Sequence, residues 1–269
     1  MSRTVIASDM ERFRPGQTEP QPMTTATHHT GPGPTVQSRQ RAIAELAAGL
    51  VPLLVVAGVT ASRFGLPAMY LLRTIVVYAL MARLILRHVP PSATGLGPAN
   101  WVTLSRATLV LSMAALVPQP EILVDAGYWW IIGVMTVAMV LDGVDGQIAR
   151  RTGTATVFGA RFDIELDSFL MLVLAALVWR SGRVGPWVVV LGLPRYLFIA
   201  AGWVWPWMRA PLPERVRRKA GCVIQGIALL VCLGPIVPPG VASPVAALTL
   251  VLLGASFAVD IVWLSRSRR

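Results

Sequence analysis

Apolar residues dominate eight stretches of this chain, and shorter polar stretches separate them. Each apolar stretch has about the length of the roughly 20 residues that an α-helix needs to cross a bilayer. The stretches fall at about 43–62, 67–86, 102–118, 128–149, 159–180, 185–205, 220–238 and 243–264. The pattern predicts an all-α integral membrane protein with about eight transmembrane helices.

The segment before the first apolar stretch has a different composition. Residues 1–41 are polar and rich in Pro, Gly, Thr and Gln. A segment of this kind cannot bury enough apolar surface to offset the entropy of ordering. It also lacks the apolar run of a signal peptide. We expect residues 1–41 to form a disordered cytoplasmic tail.

Overall composition supports the membrane prediction. Hydrophobic residues make up 55% of the chain and charged residues 14%, whereas soluble domains carry about 25% charged residues. The net charge of +11 could indicate a nucleic-acid partner. However, the basic residues lie between the apolar stretches, and both a basic soluble domain and base-stacking aromatics are missing. We therefore predict no nucleic-acid partner.

The distribution of basic residues predicts the orientation in the membrane. If the N-terminus is cytoplasmic, nineteen of the 24 Lys and Arg residues fall on the inner side and three on the outer side. Cytoplasmic loops carry such an excess of basic residues. This orientation places both termini, and the segment around residues 142–167, at the cytoplasmic face.

Four aspartates stand out in that segment. The chain reads D-x-x-D-G-x-x-A-R from Asp142 to Arg150 and, after eight intervening residues, G-x-x-x-D-x-x-x-D from Gly159 to Asp167. On helices, spacings of three and four place each pair on one face. Two neighbouring helices could therefore bring Asp142, Asp145, Asp163 and Asp167 to one point.

Such a cluster requires cations, because four carboxylates near an apolar interior repel one another and lose hydration. Oxygen ligands without histidine or thiolate favour Mg²⁺ or Mn²⁺. Four carboxylates can hold two ions, an arrangement that suits phosphoryl chemistry. Glu165 points about 160° away from Asp163 and Asp167 on a helix, and we leave it outside the predicted site.

Small residues accompany the aspartates. Gly146 and Ala149 would let a bulky ligand approach the helix backbone, and Gly159 would keep the approach to the fifth apolar stretch open. Arg150 can pair with a phosphate. These residues distinguish the segment from a simple cluster of charges at helix ends.

This stretch resembles the signature of the CDP-alcohol phosphotransferase family. Every fixed position of that signature is present: Asp142, Asp145, Gly146, Ala149, Arg150, Gly159, Asp163 and Asp167. A second family pattern, N-x-x-T-x-x-R, is matched by Asn100, Thr103 and Arg106. The resemblance implies a six-helix core within residues 95–269. Residues 42–94 would then form an additional N-terminal transmembrane hairpin.

The resemblance also implies a role for each residue. Asp142, Asp145 and Asp163 would bind two divalent cations, Mg²⁺ or Mn²⁺, and Asp167 would complete that site and act as the general base. Gly146, Ala149, Arg150 and Thr156 would hold the nucleotide. The side of the site that receives the nucleotide would be lined by Asn100, Thr103 and Arg106.

As a family member, the protein would act in phospholipid biosynthesis. It would transfer a phosphatidyl group from CDP-diacylglycerol to a hydroxyl acceptor, glycerol 3-phosphate or another polar alcohol, and release CMP. It would be a homodimer in the lipid bilayer of a bacterial plasma membrane, with its active site at the cytoplasmic face.

The acceptor side carries a weaker signal. Arg195 within the sixth stretch and Lys219 before the seventh are candidate ligands of an anionic acceptor. The alternatives are a helix–helix hydrogen bond for Arg195 and a basic flank for Lys219. Ser168 stands where phosphatidylglycerophosphate synthases usually have lysine and inositol-phosphate enzymes tend to have arginine.

Two other functions remain open from the sequence. The enzyme could use a soluble CDP-alcohol as donor and diacylglycerol as acceptor. A member of a different class, an ion- or proton-coupled transporter, would spread its carboxylates through the depth of the membrane.

Overall fold

The computed structural model describes residues 36–88, 97–152, 157–209 and 216–266. Within these ranges the chain is helical and contains no strand. The eight α-helices are α1 (Val36–Phe64), α2 (Ala68–His88), α3 (Gly97–Ala114), α4 (Asp125–Thr152), α5 (Val157–Arg180), α6 (Pro194–Val204), α7 (Val216–Leu233) and α8 (Pro239–Arg266). Side chains are described in these helices except at residues 36–39, 88, 97–100, 144–152, 157, 158, 209, 216–219 and 266.

Each of the eight predicted apolar stretches contains helical structure, and the prediction of an all-α membrane protein is confirmed. Four described helical segments are long and apolar enough to cross a membrane: Gln40–Phe64, Ala68–Arg87, Asp125–Gly143 and Pro239–Ser265. Two further apolar segments, Trp101–Ala114 and Ala220–Leu233, are shorter. Helix α5 carries charged residues in its first turns, so it is not a uniformly apolar span.

The sixth apolar stretch is not the continuous span that the sequence predicted for residues 185–205. A 3-10 helix, Pro186–Gly192, precedes α6, and the two axes are bent by 69°. Pro194 lacks an N–H and stands at the start of α6, where that loss is tolerated. Gly192 lies so close to α5 that an added Cβ would approach the Cα atom of Leu172 to 2.4 Å. The break therefore lets the 3-10 helix pack directly on the α5 backbone.

Helix α5 is central to the described fold. It packs against α3, α7 and the 3-10 helix. Its buried face includes Leu166, Leu170, Leu174 and Leu177, each less than 5% exposed. Helix α3 packs in turn against α4 and α1. This arrangement brings polar residues of α3, α4 and α5 to one place.

The predicted N-terminal hairpin packs on the core. Helices α1 and α2 both contact α3, and the hydroxyl of Tyr70 in α2 donates a hydrogen bond to the Ser112 carbonyl at 3.2 Å. Helix α1 begins at Val36, so residues 36–41 of the predicted tail are helical, because the helix of the first apolar stretch extends N-terminally into them. The remainder of that tail lies outside the described residues, and its disorder stays a prediction.

Candidate functional site

Three aspartates from two helices converge on one point. Asp142 belongs to α4, whereas Asp163 and Asp167 are one turn apart on α5. A carboxylate oxygen from each lies within 4.8 Å of the others. The side chains are partly buried, with exposed fractions of 38%, 36% and 39%. The three carboxylates are thus partly shielded from water but not enclosed.

Arg106 of α3 holds the three carboxylates together. Its Nη1 lies 2.9 Å from Oδ1 of Asp142 and 2.5 Å from Oδ1 of Asp163. Its Nη2 donates to Oδ1 of Asp167 at 2.5 Å. The guanidinium fork, with donors in a fixed plane, suits this kind of multidentate pairing. One side chain of α3 therefore ties α4 and α5 to each other.

The position of Arg106 is itself fixed. Its Nε donates a hydrogen bond to the Ala138 carbonyl of α4 at 3.1 Å, one turn before Asp142. The side chain is 0% exposed and is the largest fully buried side chain of the described residues. Burying a charge is costly unless it is paired and hydrogen-bonded. The three carboxylates and the backbone oxygen meet that requirement for Arg106.

The charge balance leaves room for a further cation. Three carboxylates and one guanidinium carry a formal net charge of two negative units. The guanidinium shows that the oxygens of this cluster can surround a positive charge. Hard carboxylate oxygens are also the ligands that Mg²⁺ and Mn²⁺ take. The described residues therefore fit a divalent metal ion.

Several predicted site residues cannot be compared with this geometry. Asp145, Gly146, Ala149 and Arg150 belong to α4, Asn100 to α3 and Lys219 to α7, but their side chains lie outside the described residues. Thr156 lies outside them entirely. Thr103 is described and is buried on α3, one turn before Arg106. The roles predicted for these residues stay predictions.

In the structure Arg106 binds the aspartate cluster and a backbone oxygen, which the sequence did not predict. It was expected to line the nucleotide side, whereas all three of its nitrogens contact carboxylates or a backbone oxygen. The available signal was its position inside the third apolar stretch, because a charge at such depth usually has a specific partner.

Arg195 faces a different side of α5. Its guanidinium pairs with the carboxylate of Glu165, which lies between Asp163 and Asp167 in sequence but points away from the aspartate cluster. This arrangement agrees with the prediction that Glu165 lies outside the metal site. The pair joins the start of α6 to α5, and the acceptor role of Arg195 stays a prediction.

An apolar cavity adjoins the bent sixth segment. It has a volume of about 300 Å³ and lies between the 3-10 helix, α6 and α8. Its lining includes Val190, Pro194, Phe198, Leu253 and Phe257. Pro194 directly precedes Arg195, so one end of the cavity is close to the ion pair with Glu165.

Comparison with known proteins places this site in a family. A family model described as CDP-alcohol phosphatidyltransferase matches residues 96–261. An alignment over 83 residues is 37% identical to ethanolaminephosphotransferase 1 of Homo sapiens, and it covers 28% of this chain and 21% of the human protein. No solved structure matches the chain significantly. The family match spans more than half of the chain and includes Arg106 and the three converging aspartates. The chain belongs to the CDP-alcohol phosphatidyltransferase family.

Proposed function

We propose that this protein transfers a phosphatidyl group from CDP-diacylglycerol to the hydroxyl group of a polar alcohol, releasing CMP. The reaction would belong to phospholipid biosynthesis. The observation that carries the proposal is the convergence of Asp142, Asp163 and Asp167 within the segment that matches the family. A carboxylate cluster on a membrane-embedded scaffold suits a substrate that joins a pyrophosphate to a lipid.

Asp142, Asp145, Asp163 and Asp167 would hold two divalent ions, Mg²⁺ or Mn²⁺. When bound, these ions neutralise the pyrophosphate and the charge that develops during transfer. Phosphoryl transfer needs mainly positioning and electrostatic stabilisation from the protein. A fixed carboxylate cluster provides the positioning.

Asp167 would act as the general base. Because Oδ1 of Asp167 accepts from Arg106, the second carboxylate oxygen would take the proton of the acceptor hydroxyl. The acceptor oxygen then forms a bond to the β-phosphorus. The bond from the β-phosphorus to the bridging oxygen breaks, and CMP leaves with that electron pair.

The nucleotide would lie beside the C-terminal end of α4. Gly146 and Ala149 would allow its close approach, Arg150 would pair with a phosphate, and Thr156, Asn100 and Thr103 would complete the pocket. The excess of basic residues on this side supports a cytoplasmic active site. We further propose a homodimer in a bacterial plasma membrane.

A second candidate is transfer of a phosphoalcohol from a soluble CDP-alcohol to diacylglycerol. The similarity to human ethanolaminephosphotransferase 1 favours it. The apolar cavity beside α6 suits a lipid chain in either reaction. A transporter is less well supported, because three aspartates share one guanidinium instead of spreading along a path through the membrane.

Product analysis separates the two candidates. Membranes containing the protein would receive labelled CDP-diacylglycerol with glycerol 3-phosphate, inositol, inositol phosphate, serine or phosphatidylglycerol. A parallel series would pair labelled CDP-ethanolamine or CDP-choline with diacylglycerol. We expect labelled phospholipid and CMP in one acceptor reaction of the first series. Product only in the second series would establish the second candidate instead.

The role of Arg195 can be tested with a pair of substitutions. Arg195 would contribute to the binding of an anionic acceptor, and its Nε is buried without a hydrogen-bond partner among the described residues. We expect Arg195→Gln to raise the acceptor KM about tenfold or more, because a charge-assisted hydrogen bond contributes roughly 1.5–3 kcal/mol. Initial rates at varied acceptor concentration measure this effect.

Glu165→Gln is the matched control, since it breaks the same ion pair from the other side. The pair is partly exposed, with side-chain exposures of 32% and 48%, so we expect only a small loss of stability. If Arg195 binds acceptor, Glu165→Gln leaves the acceptor KM unchanged. Equal changes in KM and melting temperature for both variants would show that Arg195 only ties α6 to α5.

A further inference from the structure

We propose that the N-terminal helix pair α1–α2 positions Arg106 and, through it, the aspartate cluster. The positioning residues are Gly49 of α1 and Tyr78 of α2, which act through Leu104 of α3. The inference rests on the metal site of the proposed function. It assigns a role in that site to two helices outside the segment that matches the family, which begins at residue 96.

Gly49, Tyr78 and Leu104 join α1, α2 and α3 at one point, which we call the Leu104 contact. A Cβ added at Gly49 would lie 2.5 Å from the Tyr78 hydroxyl and 2.8 Å from Cδ2 of Leu104. The Tyr78 hydroxyl donates a hydrogen bond to the Leu46 carbonyl of α1 at 2.6 Å. Tyr78 is 3% exposed and Leu104 is 1% exposed. In so closely packed a place an added methyl group has to displace its neighbours.

The Leu104 contact lies on the side of α3 opposite Arg106. Positions two residues apart on an α-helix differ by about 200° around the axis and by roughly 3 Å along it. Leu104 packs on Gly49 of α1, whereas Arg106 faces the aspartates of α4 and α5. A shift of α3 away from α1 therefore moves the guanidinium towards the carboxylates.

The contacts of Arg106 leave no slack for such a shift. Its guanidinium nitrogens lie 2.5 Å from oxygens of Asp163 and Asp167 and 2.9 Å from an oxygen of Asp142. Its Nε is hydrogen-bonded to the Ala138 carbonyl of α4. Charged hydrogen bonds at these distances are already at the short end of their range. A displaced α3 would therefore move the carboxylates apart, and the metal site would lose its geometry.

Two hydrogen bonds hold α1 and α2 against the core near the C-terminal end of α3. The indole Nε1 of Trp130 donates to the Thr60 hydroxyl at 3.0 Å, and the Tyr70 hydroxyl donates to the Ser112 carbonyl at 3.2 Å. Ser112 is six residues, or roughly 9 Å along the helix, beyond Arg106. These bonds oppose an outward movement of α1, so strain at the Leu104 contact would fall on α3.

Mn²⁺ binding to the purified full chain in detergent tests the inference. Free Mn²⁺ would be followed by electron paramagnetic resonance. We expect Gly49→Ala to raise the Mn²⁺ dissociation constant about tenfold, because disturbing the groups that orient metal ligands costs roughly 10–100-fold in affinity. Gly58→Ala is the matched control on the same helix. A Cβ at Gly58 meets no atom within 4 Å, so we expect the wild-type constant.

Two tyrosine variants make the same comparison without adding an atom. Tyr78→Phe removes the hydrogen bond at the Leu104 contact, and we expect the Mn²⁺ dissociation constant to rise roughly threefold, since a single hydrogen bond is lost. Tyr70→Phe removes a hydrogen bond of the same helix at the far end of α3, and we expect the wild-type constant. If Gly49→Ala does not fold, the tyrosine pair decides.

The dissociation constant separates positioning from a loss of folded protein. Partial unfolding lowers the number of ions bound per chain, but it does not change the affinity of the molecules that stay folded. An unchanged constant in folded Gly49→Ala and Tyr78→Phe, whatever their melting temperatures, would overturn the inference. Equal rises in Tyr78→Phe and Tyr70→Phe would also overturn it, because the effect would then not depend on the Leu104 contact.

The wild-type titration separates this inference from the proposed function. If the wild-type protein binds no Mn²⁺, the metal site of the proposed function is wrong, and the positioning role is wrong with it. If the wild-type protein binds Mn²⁺ and all four variants bind it equally well, the metal site stands and only the positioning role is wrong.

Discussion

Replacing Asp167 with Asn should abolish CMP release while the helices remain folded. Asn has nearly the same shape, and its side-chain oxygen can still accept the hydrogen bond from Arg106 that Asp167 accepts at 2.5 Å. It cannot take a proton from the acceptor hydroxyl. Loss of a general base alone costs about 10²–10⁴-fold in rate, and loss of a metal-binding carboxylate would add to this. Release of labelled CMP from CDP-diacylglycerol measures the effect.

Glu165→Gln provides the control for this substitution. It removes a carboxylate from the same helix, two residues away, on the side that faces Arg195. We expect it to keep turnover near the wild-type rate. Near-normal CMP release by a folded Asp167→Asn variant would exclude Asp167 as the base. Similar losses in both variants would indicate that any change in the charge of α5 is harmful.

Removal of divalent ions should reduce turnover to the rate measured without protein. The three carboxylates paired with Arg106 would then lack the charge of the ions, and the pyrophosphate would lose its main source of neutralisation. Adding Mg²⁺ or Mn²⁺ back should restore activity, because both ions prefer oxygen ligands. The measurement is CMP release after chelation and dialysis, repeated over a series of concentrations of each ion.

An Asp163→Asn variant makes this experiment specific to the cluster. Asp163 contacts Arg106 at 2.5 Å and would bind an ion, so we expect the variant to need a higher ion concentration for half-maximal activity. Circular dichroism checks that the helices are retained. Full activity of the chelated wild-type protein would rule out a metal-dependent mechanism.

The convergence of Asp142, Asp163 and Asp167 could be predicted from sequence because it depends on local geometry. Apolar stretches of membrane-spanning length predict helices, and spacings of three and four residues put aspartates on one helix face. The eight residues between Arg150 and Gly159 leave α4 and α5 as neighbours in sequence. The three side chains that are described lie together as expected.

The position of Arg106 and the bend of the sixth segment depend on contacts between helices and were not foreseen. Hydropathy shows that a stretch is apolar, but it does not show which neighbour a buried cation will contact. The family resemblance predicts that Arg106 lines the nucleotide site, although it lies within an apolar stretch. The bend requires the close contact between Gly192 and the α5 backbone, which no pattern along the chain reveals.

The most direct test is whether purified protein couples CMP release to phospholipid formation. Wild-type protein in detergent would receive doubly labelled CDP-diacylglycerol, Mg²⁺ and the acceptor identified by product analysis, and both products would be counted. We predict equal amounts of CMP and new phospholipid, with neither formed by Asp167→Asn. Folded wild-type protein that releases no CMP from CDP-diacylglycerol with any acceptor of the series would contradict the proposed function.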